Sequence, residues 1–148
     1  MSAPALYRDI VLEHHRAPRN HGALDGHTHA ADGVNALCGD SLRLELRVDA
    51  GRIAEYRFRG ECCAICTATA SLLGERVLGL DAAALAPLQQ SFEALLRGEA
   101  AAAELGGLAA LGELARYPAR RKCAQLAWAT LSAALAGQAR TTTEKDPA

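Results

Sequence analysis

Cysteine and aspartate occur in a pattern that favours metal or thiolate chemistry. Cys38 and Asp40 flank Gly39 just before a predicted strand. Residues i and i+2 of extended backbone project to the same side, so a thiolate and a carboxylate can face one ion. A plain turn before a strand has the same composition, because glycine and aspartate are ordinary turn residues. Taken alone, this motif leaves both interpretations open.

A second group of cysteines follows a predicted hairpin and opens a predicted helix: Cys62, Cys63 and Cys66. The partial positive charge of a helix N-terminus lowers the pKa of a thiol and favours the thiolate, which binds metal and attacks sulfur. Cys63 and Cys66 have the C-x-x-C spacing of zinc knuckles and of redox-active disulfides. The sequence has no second C-x-x-C, which excludes a zinc ribbon built from two such pairs.

The fifth cysteine, Cys123, lies near the start of the last predicted helix, on its apolar stripe. Spacing alone fits a buried core cysteine. Arg120, Arg121 and Lys122 crowd a helix start, where each cation is disfavoured by about 0.3–1 kcal/mol. Nearby thiolates would offset that cost, although a solvated basic turn explains the same charges.

Bulk composition limits the classes of function. The 148 residues fit one domain, half of them are hydrophobic, and the net charge of −1 suggests neither nucleic acid nor an anionic membrane as a partner. No apolar run approaches the roughly 18 residues of a membrane span, and the N-terminus has no signal-peptide pattern. We therefore expect a cytoplasmic protein, in which an odd number of cysteines indicates metal or thiol chemistry rather than a disulfide framework.

Catalytic motifs of other classes are absent from the sequence. It contains no H-E-x-x-H, no glycine-rich phosphate loop and no G-x-S-x-G. The five histidines show no ligand spacing to the cysteines, and we expect them on the surface.

Periodicity predicts an α+β fold: a small antiparallel sheet of about three strands packed with helices. The clearest signal is the alternation of apolar and charged residues over 41–59, interrupted by a glycine-containing turn, which indicates a hairpin. Predicted helices cover 5–17, 64–78, 82–97 with a break or restart at Pro87, 108–115 and 118–136, and 99–107 is a predicted connector. We expect a single domain over 1–137 and a disordered polar tail over 138–148.

Six stretches in this order resemble the U-type iron-sulfur cluster assembly family, which includes IscU-like and NifU N-terminal-like proteins, and most closely its SufU branch. They are residues 6–11, 18–22, 38–40, 58–65, 68–71 and 117–123. The resemblance covers about residues 5–136. Each stretch is short, whereas their ordered combination is specific.

The resemblance implies a fold of the same kind and a shared metal site. Carried over by position, its ligands are Cys38, Asp40, Cys63 and Cys123, and its metal is Zn²⁺. The implied partners are a pyridoxal-phosphate-dependent (PLP) cysteine desulfurase (SufS-like) as sulfur donor and downstream cluster-assembly or apo-proteins. In the SufU branch a ligand position passes to a partner side chain, which frees the last cysteine to accept persulfide. Cys123 is thus the implied sulfur acceptor of a persulfide carrier rather than of a stand-alone turnover enzyme.

Departures from the family pattern keep alternatives open. Lys122 stands where IscU-like scaffolds have histidine, which favours the sulfur acceptor over a scaffold for Fe or a [2Fe-2S] cluster. Cys62 stands where glycine is common, and Cys66 is an additional thiol that could replace Asp40 as a ligand. A zinc-stabilised interaction module and a thiol-disulfide oxidoreductase are the remaining hypotheses.

Overall fold

The computed structural model describes residues 2–36 and 39–143. Its elements are α1 (Ala3–Arg16), β1 (His29–Asn35), β2 (Asp40–Asp49), β3 (Arg52–Glu61), α2 (Ala64–Val77), α3 (Ala82–Leu96), a 3-10 helical segment (Ala103–Arg116), α4 (Pro118–Leu135) and β4 (Arg140–Thr142). The α+β prediction is confirmed. Within these residues, no helix has the length and apolar character that crossing a bilayer would need.

The sheet has four strands in the order β3-β2-β1-β4. The first three pair antiparallel, as predicted, and β4 adds a short parallel pairing to β1. Ala50 and Gly51 form the two-residue turn between β2 and β3, both with positive φ (51° and 78°). That geometry is typical of a type I′ turn, whose twist matches the strands it joins.

One face of the sheet forms the core against α2 and α4. Leu42, Leu44 and Leu46 of β2 are fully buried on this inner face. Gly33 of β1 lies so close to α4 that a Cβ there would sit 2.0 Å from Thr130 Oγ1. This close approach brings the backbone of β1 against α4 and fixes how the helix lies on the sheet.

Ser71 of α2 joins α1 and the turn that follows it to the rest of the domain. Its Oγ lies 2.7 Å from His14 Nδ1 and accepts a hydrogen bond from the backbone N–H of Arg19 at 2.8 Å. His14 is therefore buried, which corrects the expectation that all histidines lie on the surface. Burial lowers the pKa of His14, which favours its neutral form.

The segment between α3 and α4 differs from the predicted connector and short α-helix. It is a 3-10 helical segment, interrupted at Gly106, which has a φ of 56°. Its four buried leucines recur every third residue, at Leu105, Leu108, Leu111 and Leu114. A three-residue period matches the three residues per turn of a 3-10 helix, so a single face carries all four into the core.

Helix α3 is continuous through Pro87, without the predicted break. Asp81 caps it by accepting a hydrogen bond from Ala84 N at 2.9 Å. Pro87 removes the backbone bond to Ala83, whose exposed position leaves its carbonyl open to water. The helix thus continues through Pro87 without that hydrogen bond.

The C-terminal segment corrects part of the predicted disordered tail. Arg140–Thr142 form β4 and pair with Asp32–Val34 of β1. The backbone N–H of Asp32 also donates to Ala139 O at 2.8 Å. Residues 144–148 lie outside the described residues, and the predicted domain boundary at 137 stays a prediction.

Glu45 lies on the outer face of the sheet, where alternation predicts exposure, but it is buried. Segment 20–28 covers it, and Leu24 N donates to Glu45 Oε1 at 2.9 Å. Arg59 Nη1 and Arg43 Nε donate to the carboxylate at 2.8 and 3.1 Å. The Arg59 hydrogen bond is the main cause that lowers the pKa of Glu45 from 4.5 to about 2, against the opposing effect of burial.

We expect Glu45 to give the protein an acid-sensitive part of its stability. Because its pKa is lower in the folded state, its contribution is present above pH 4.5 and is lost as the pH falls towards 2. Glu45→Gln should lower the free energy of unfolding by roughly 1–3 kcal/mol at pH 7 and by less at pH 3, as measured by urea denaturation. The exposed ion pair of Glu55 with Arg47 provides the control, Glu55→Gln, with a small effect at both pH values. Equal losses for Glu45→Gln at both pH values would contradict this account.

Gly60 allows β3 to pass close to β2 just before the cysteine segment. Its φ is +149°, and a Cβ would lie 2.0 Å from the backbone oxygen of Ser41. Gly60→Ala should therefore lower the free energy of unfolding, measured by urea denaturation, by more than about 3 kcal/mol, because the backbone must shift. Gly26→Ala is the matched control: its φ is +75° with open space around it, so a loss of only about 1–2 kcal/mol is expected.

Candidate metal centre

Asp40 begins β2 on the inner face of the sheet and is 1% exposed. Its Oδ1 accepts a hydrogen bond from the backbone N–H of Cys63 at 2.8 Å. Its Oδ2 lies 3.7 Å from Cys63 Sγ, which donates to it. The carboxylate of one strand thus contacts the start of the helix that follows the next strand.

Cys63 is the N-cap residue of α2 and is partly buried. Its Sγ accepts a hydrogen bond from the backbone N–H of Cys66 at 3.4 Å, as N-cap side chains do. A hydrogen bond from Cys123 is the main cause that lowers the pKa of Cys63 to about 7, while burial and the Asp40 carboxylate act in the opposite direction. The hydrogen bond from Cys123 thus favours the thiolate form of Cys63.

Cys123 lies in the second turn of α4 and is 2% exposed. Its Sγ, Cys63 Sγ and a carboxylate oxygen of Asp40 lie within 4.8 Å of one another. The structure thus brings together three of the four ligands that the sequence analysis named. The fourth, Cys38, lies outside the described residues.

The donor set fits zinc. Two thiolates and one carboxylate are preferred ligands of Zn²⁺, with Zn–S near 2.3 Å and Zn–O near 2.0–2.2 Å. A tetrahedral ion with such bonds separates its ligand atoms by roughly 3.5–3.8 Å. Separations of up to 4.8 Å need only small side-chain rotations to reach that geometry.

Cys62 and Cys66 lie outside this group of three. Cys62 Sγ donates to the backbone oxygen of Ser41 at 3.4 Å, and Cys66 is fully buried. A hydrogen bond with Cys62, followed by burial, raises the pKa of Cys66, which opposes the thiolate form that metals require. The described geometry thus favours Asp40 over Cys66 as a ligand.

An open groove of about 420 Å³ leads to the thiols of Cys63 and Cys123. Residues of α1, including Tyr7, Val11 and Leu12, line one side of it, and Arg120 lines the other. Sequence reasoning identified α1 as an amphipathic helix but not as a wall of this site. The pairing of a helix near the N-terminus with a site built by later segments depends on tertiary packing, which leaves no local signal.

Arg120 and Arg121 project from the first turn of α4 in different directions. The Arg120 guanidinium lies over the Tyr117 ring at 5.6 Å, and Arg121 Nη1 donates to Leu96 O at 3.4 Å. Both cations therefore have local contacts, and Arg120 also faces the groove. The basic turn named in the sequence analysis lies beside the thiols.

Comparison with known proteins identifies the family of this chain. The family described as "NifU-like N terminal domain" matches residues 6–144. The zinc-dependent sulfurtransferase SufU of Bacillus subtilis is 32% identical over 88% of this chain and 90% of its own length. The iron-sulfur cluster assembly scaffold protein IscU of Streptococcus pyogenes is 34% identical over 88% of this chain and 82% of its own length.

A solved structure shows the same fold. The N-terminal part of a nitrogen-fixing NifU-like protein from Brucella abortus superposes with a TM-score of 0.81, covering 92% of this chain and 96% of that one at 19% identity. Since the family match spans nearly the whole chain and two relatives exceed 30% identity, the chain belongs to the NifU-like N-terminal domain family.

Proposed function

We propose that this protein takes part in iron-sulfur cluster assembly as a zinc-binding sulfur acceptor. It receives sulfur from a cysteine desulfurase and passes it on for cluster building. The observation that carries the proposal is the group of Asp40, Cys63 and Cys123, whose donor atoms lie within 4.8 Å at the end of an open groove.

Cys38 completes the proposed ligand set. It precedes Asp40 by two residues, and two peptide units span at most about 7.6 Å between Cα atoms. This short spacing in the sequence supports Cys38 as the fourth ligand. When bound, zinc holds its thiolate ligands deprotonated and lowers their reactivity towards oxidants.

Cys123 is the proposed acceptor of sulfur. Its thiolate attacks the outer sulfur of a persulfide on the donor; a new S–S bond forms at Cys123 as the donor's S–S bond breaks. The donor cysteine leaves as a thiolate, and the proton stays on the transferred terminal sulfur. Atoms and electrons balance, so this step needs no external oxidant.

The proposed donor is a PLP-dependent cysteine desulfurase, which generates persulfide sulfur. The SufU relative is named a zinc-dependent sulfurtransferase, which supports a transfer role for this chain. The groove beside Cys123 supplies the access that a protein-bound persulfide needs. We place the reaction in the cytoplasm, where thiols remain reduced.

A scaffold function is the second candidate. The IscU relatives of Streptococcus pyogenes and Thermotoga maritima are named scaffold proteins, and the thiol-rich group would also suit a [2Fe-2S] cluster as cargo. Anaerobic reconstitution that yields a stable visible spectrum, followed by transfer to an apo-protein, would favour the scaffold.

The sulfur-acceptor proposal predicts that Cys123→Ala abolishes stimulation of a cysteine desulfurase. The variant should also fail to gain the mass of one sulfur atom after reaction with the loaded enzyme, because the attacking thiolate is gone. Cys62→Ser is the matched control, since Cys62 lies outside the ligand group, and it should stay close to wild type in both measurements. If Cys123→Ala stimulated the desulfurase as strongly as wild type does, the proposed role of Cys123 as sulfur acceptor would be refuted.

Zinc-affinity measurements on two variants decide whether Asp40 or Cys66 is a ligand of the proposed site. Asp40→Ala should lower zinc affinity at least tenfold in competition with a chromophoric chelator, because a carboxylate that binds the ion directly is removed. Cys66→Ser should bind zinc nearly as well as wild type, since its buried, protonated thiol lies outside the group. Loss of affinity in Cys66→Ser alone would move the assignment to an all-thiolate site.

A further inference from the structure

Asn35, the last residue of β1, carries a fully buried side chain with unused hydrogen-bonding capacity. It is 0% exposed, and neither Oδ1 nor Nδ2 has a hydrogen-bond partner in the described part of the chain. A buried polar atom without a partner costs about 1–3 kcal/mol, so an apolar residue of similar shape would be more stable here. An amide at this position therefore points to a purpose other than packing.

The position of Asn35 on the sheet brings it towards the metal centre. Ala31, Gly33 and Asn35 alternate on the inner face of β1, and Gly33 contacts Thr130 of α4. The chain reverses after α4 into β4, which runs parallel to β1, so α4 runs antiparallel to β1. Asn35 consequently lies towards the N-terminal half of α4, which carries Cys123.

Asp40 is the direct cross-strand partner of Asn35. Residues paired in this way project to the same face, with Cβ atoms about 4.5–5.5 Å apart. Among the described residues, the Asp40 carboxylate has contacts only with the N–H and Sγ of Cys63, whereas an ionised carboxylate offers about four lone-pair sites. A buried acceptor with spare capacity thus adjoins a buried amide with two unused donors.

We infer that Asn35 is a positioning residue of the metal centre: its side-chain NH2, which has no hydrogen-bond partner in this structure, turns to donate to the adjoining Asp40 carboxylate when that carboxylate binds an ion, and so orients it. The inference rests on the proposed zinc-binding function. Metal-binding carboxylates are themselves hydrogen-bonded in known sites, and these outer partners set ligand orientation and metal affinity.

An isosteric pair of variants tests this role. Asn35→Val and Asn35→Thr have the same shape and differ in one hydroxyl donor. Zinc affinity of each full-length protein is measured by competition with a chromophoric chelator, and the stability of the metal-free protein by urea denaturation. Asn35→Val should bind zinc about 10–100-fold more weakly than wild type, because the Asp40 carboxylate loses its donor. Asn35→Thr should retain most of the affinity.

Stability of the metal-free protein separates positioning from packing. Asn35→Val should be at least as stable as wild type, because it removes an unpartnered amide. Thr130→Val is the spatial control: it removes a buried hydroxyl from the same β1–α4 contact, away from the ligands, and should leave zinc affinity unchanged.

Three outcomes would overturn the inference. Equal zinc affinity in Asn35→Val and wild type would sink it while leaving the proposed function intact. Unfolding of Asn35→Val with a folded Asn35→Thr would make Asn35 a structural residue instead. A wild-type protein that binds no zinc would overturn both this inference and the proposed function.

Discussion

The concentration of negative charge at one buried point is the constraint on which the rest of the site depends. Asp40 and Cys123 are almost fully buried, and Cys63 contacts both. A buried carboxylate and two thiols that share a small volume cannot all ionise without a compensating proton or cation. Hydrogen bonds from backbone and thiol donors offset part of this cost in the structure. A divalent cation with thiolate affinity would offset the remainder, which is the physical reason that these residues suit a metal.

Much of the fold was predictable because its signals are local. Strict alternation over β2 and β3 determines which face of the hairpin is buried, and Leu42, Leu44 and Leu46 lie on that face. Asp81 at the start of α3 and Pro118 at the start of α4 are local signals of helix starts. The candidate ligands were identified by residue type and by the resemblance of ordered motifs. Their convergence required the packing of α2 and α4 on the sheet.

Most features that sequence reasoning missed depend on tertiary contacts. Glu45 occupies a position of β2 that the alternation predicts to be exposed. It is buried because segment 20–28 and two arginines cover it. Strand β4 is three residues long and exists through its pairing with β1. No sequence motif marks Asn35 as a candidate site residue. Only the strand register, which places it beside Asp40, does so. The period of three in the leucines of the 3-10 segment was visible in the sequence and was the one missed signal.

The bond between Asp40 Oδ1 and the backbone N–H of Cys63 has a dynamic consequence. The same carboxylate faces the candidate ion and anchors the first turn of α2, so the two events share one side chain. A rotation of the Asp40 side chain on binding or release of an ion would change the hydrogen bond that holds that turn. Opening fluctuations at the beginning of α2, on the timescale of amide hydrogen exchange, therefore depend on what the carboxylate is bound to. For an ion held by Asp40, amide hydrogen exchange at the start of this helix would report binding without any label on the thiols.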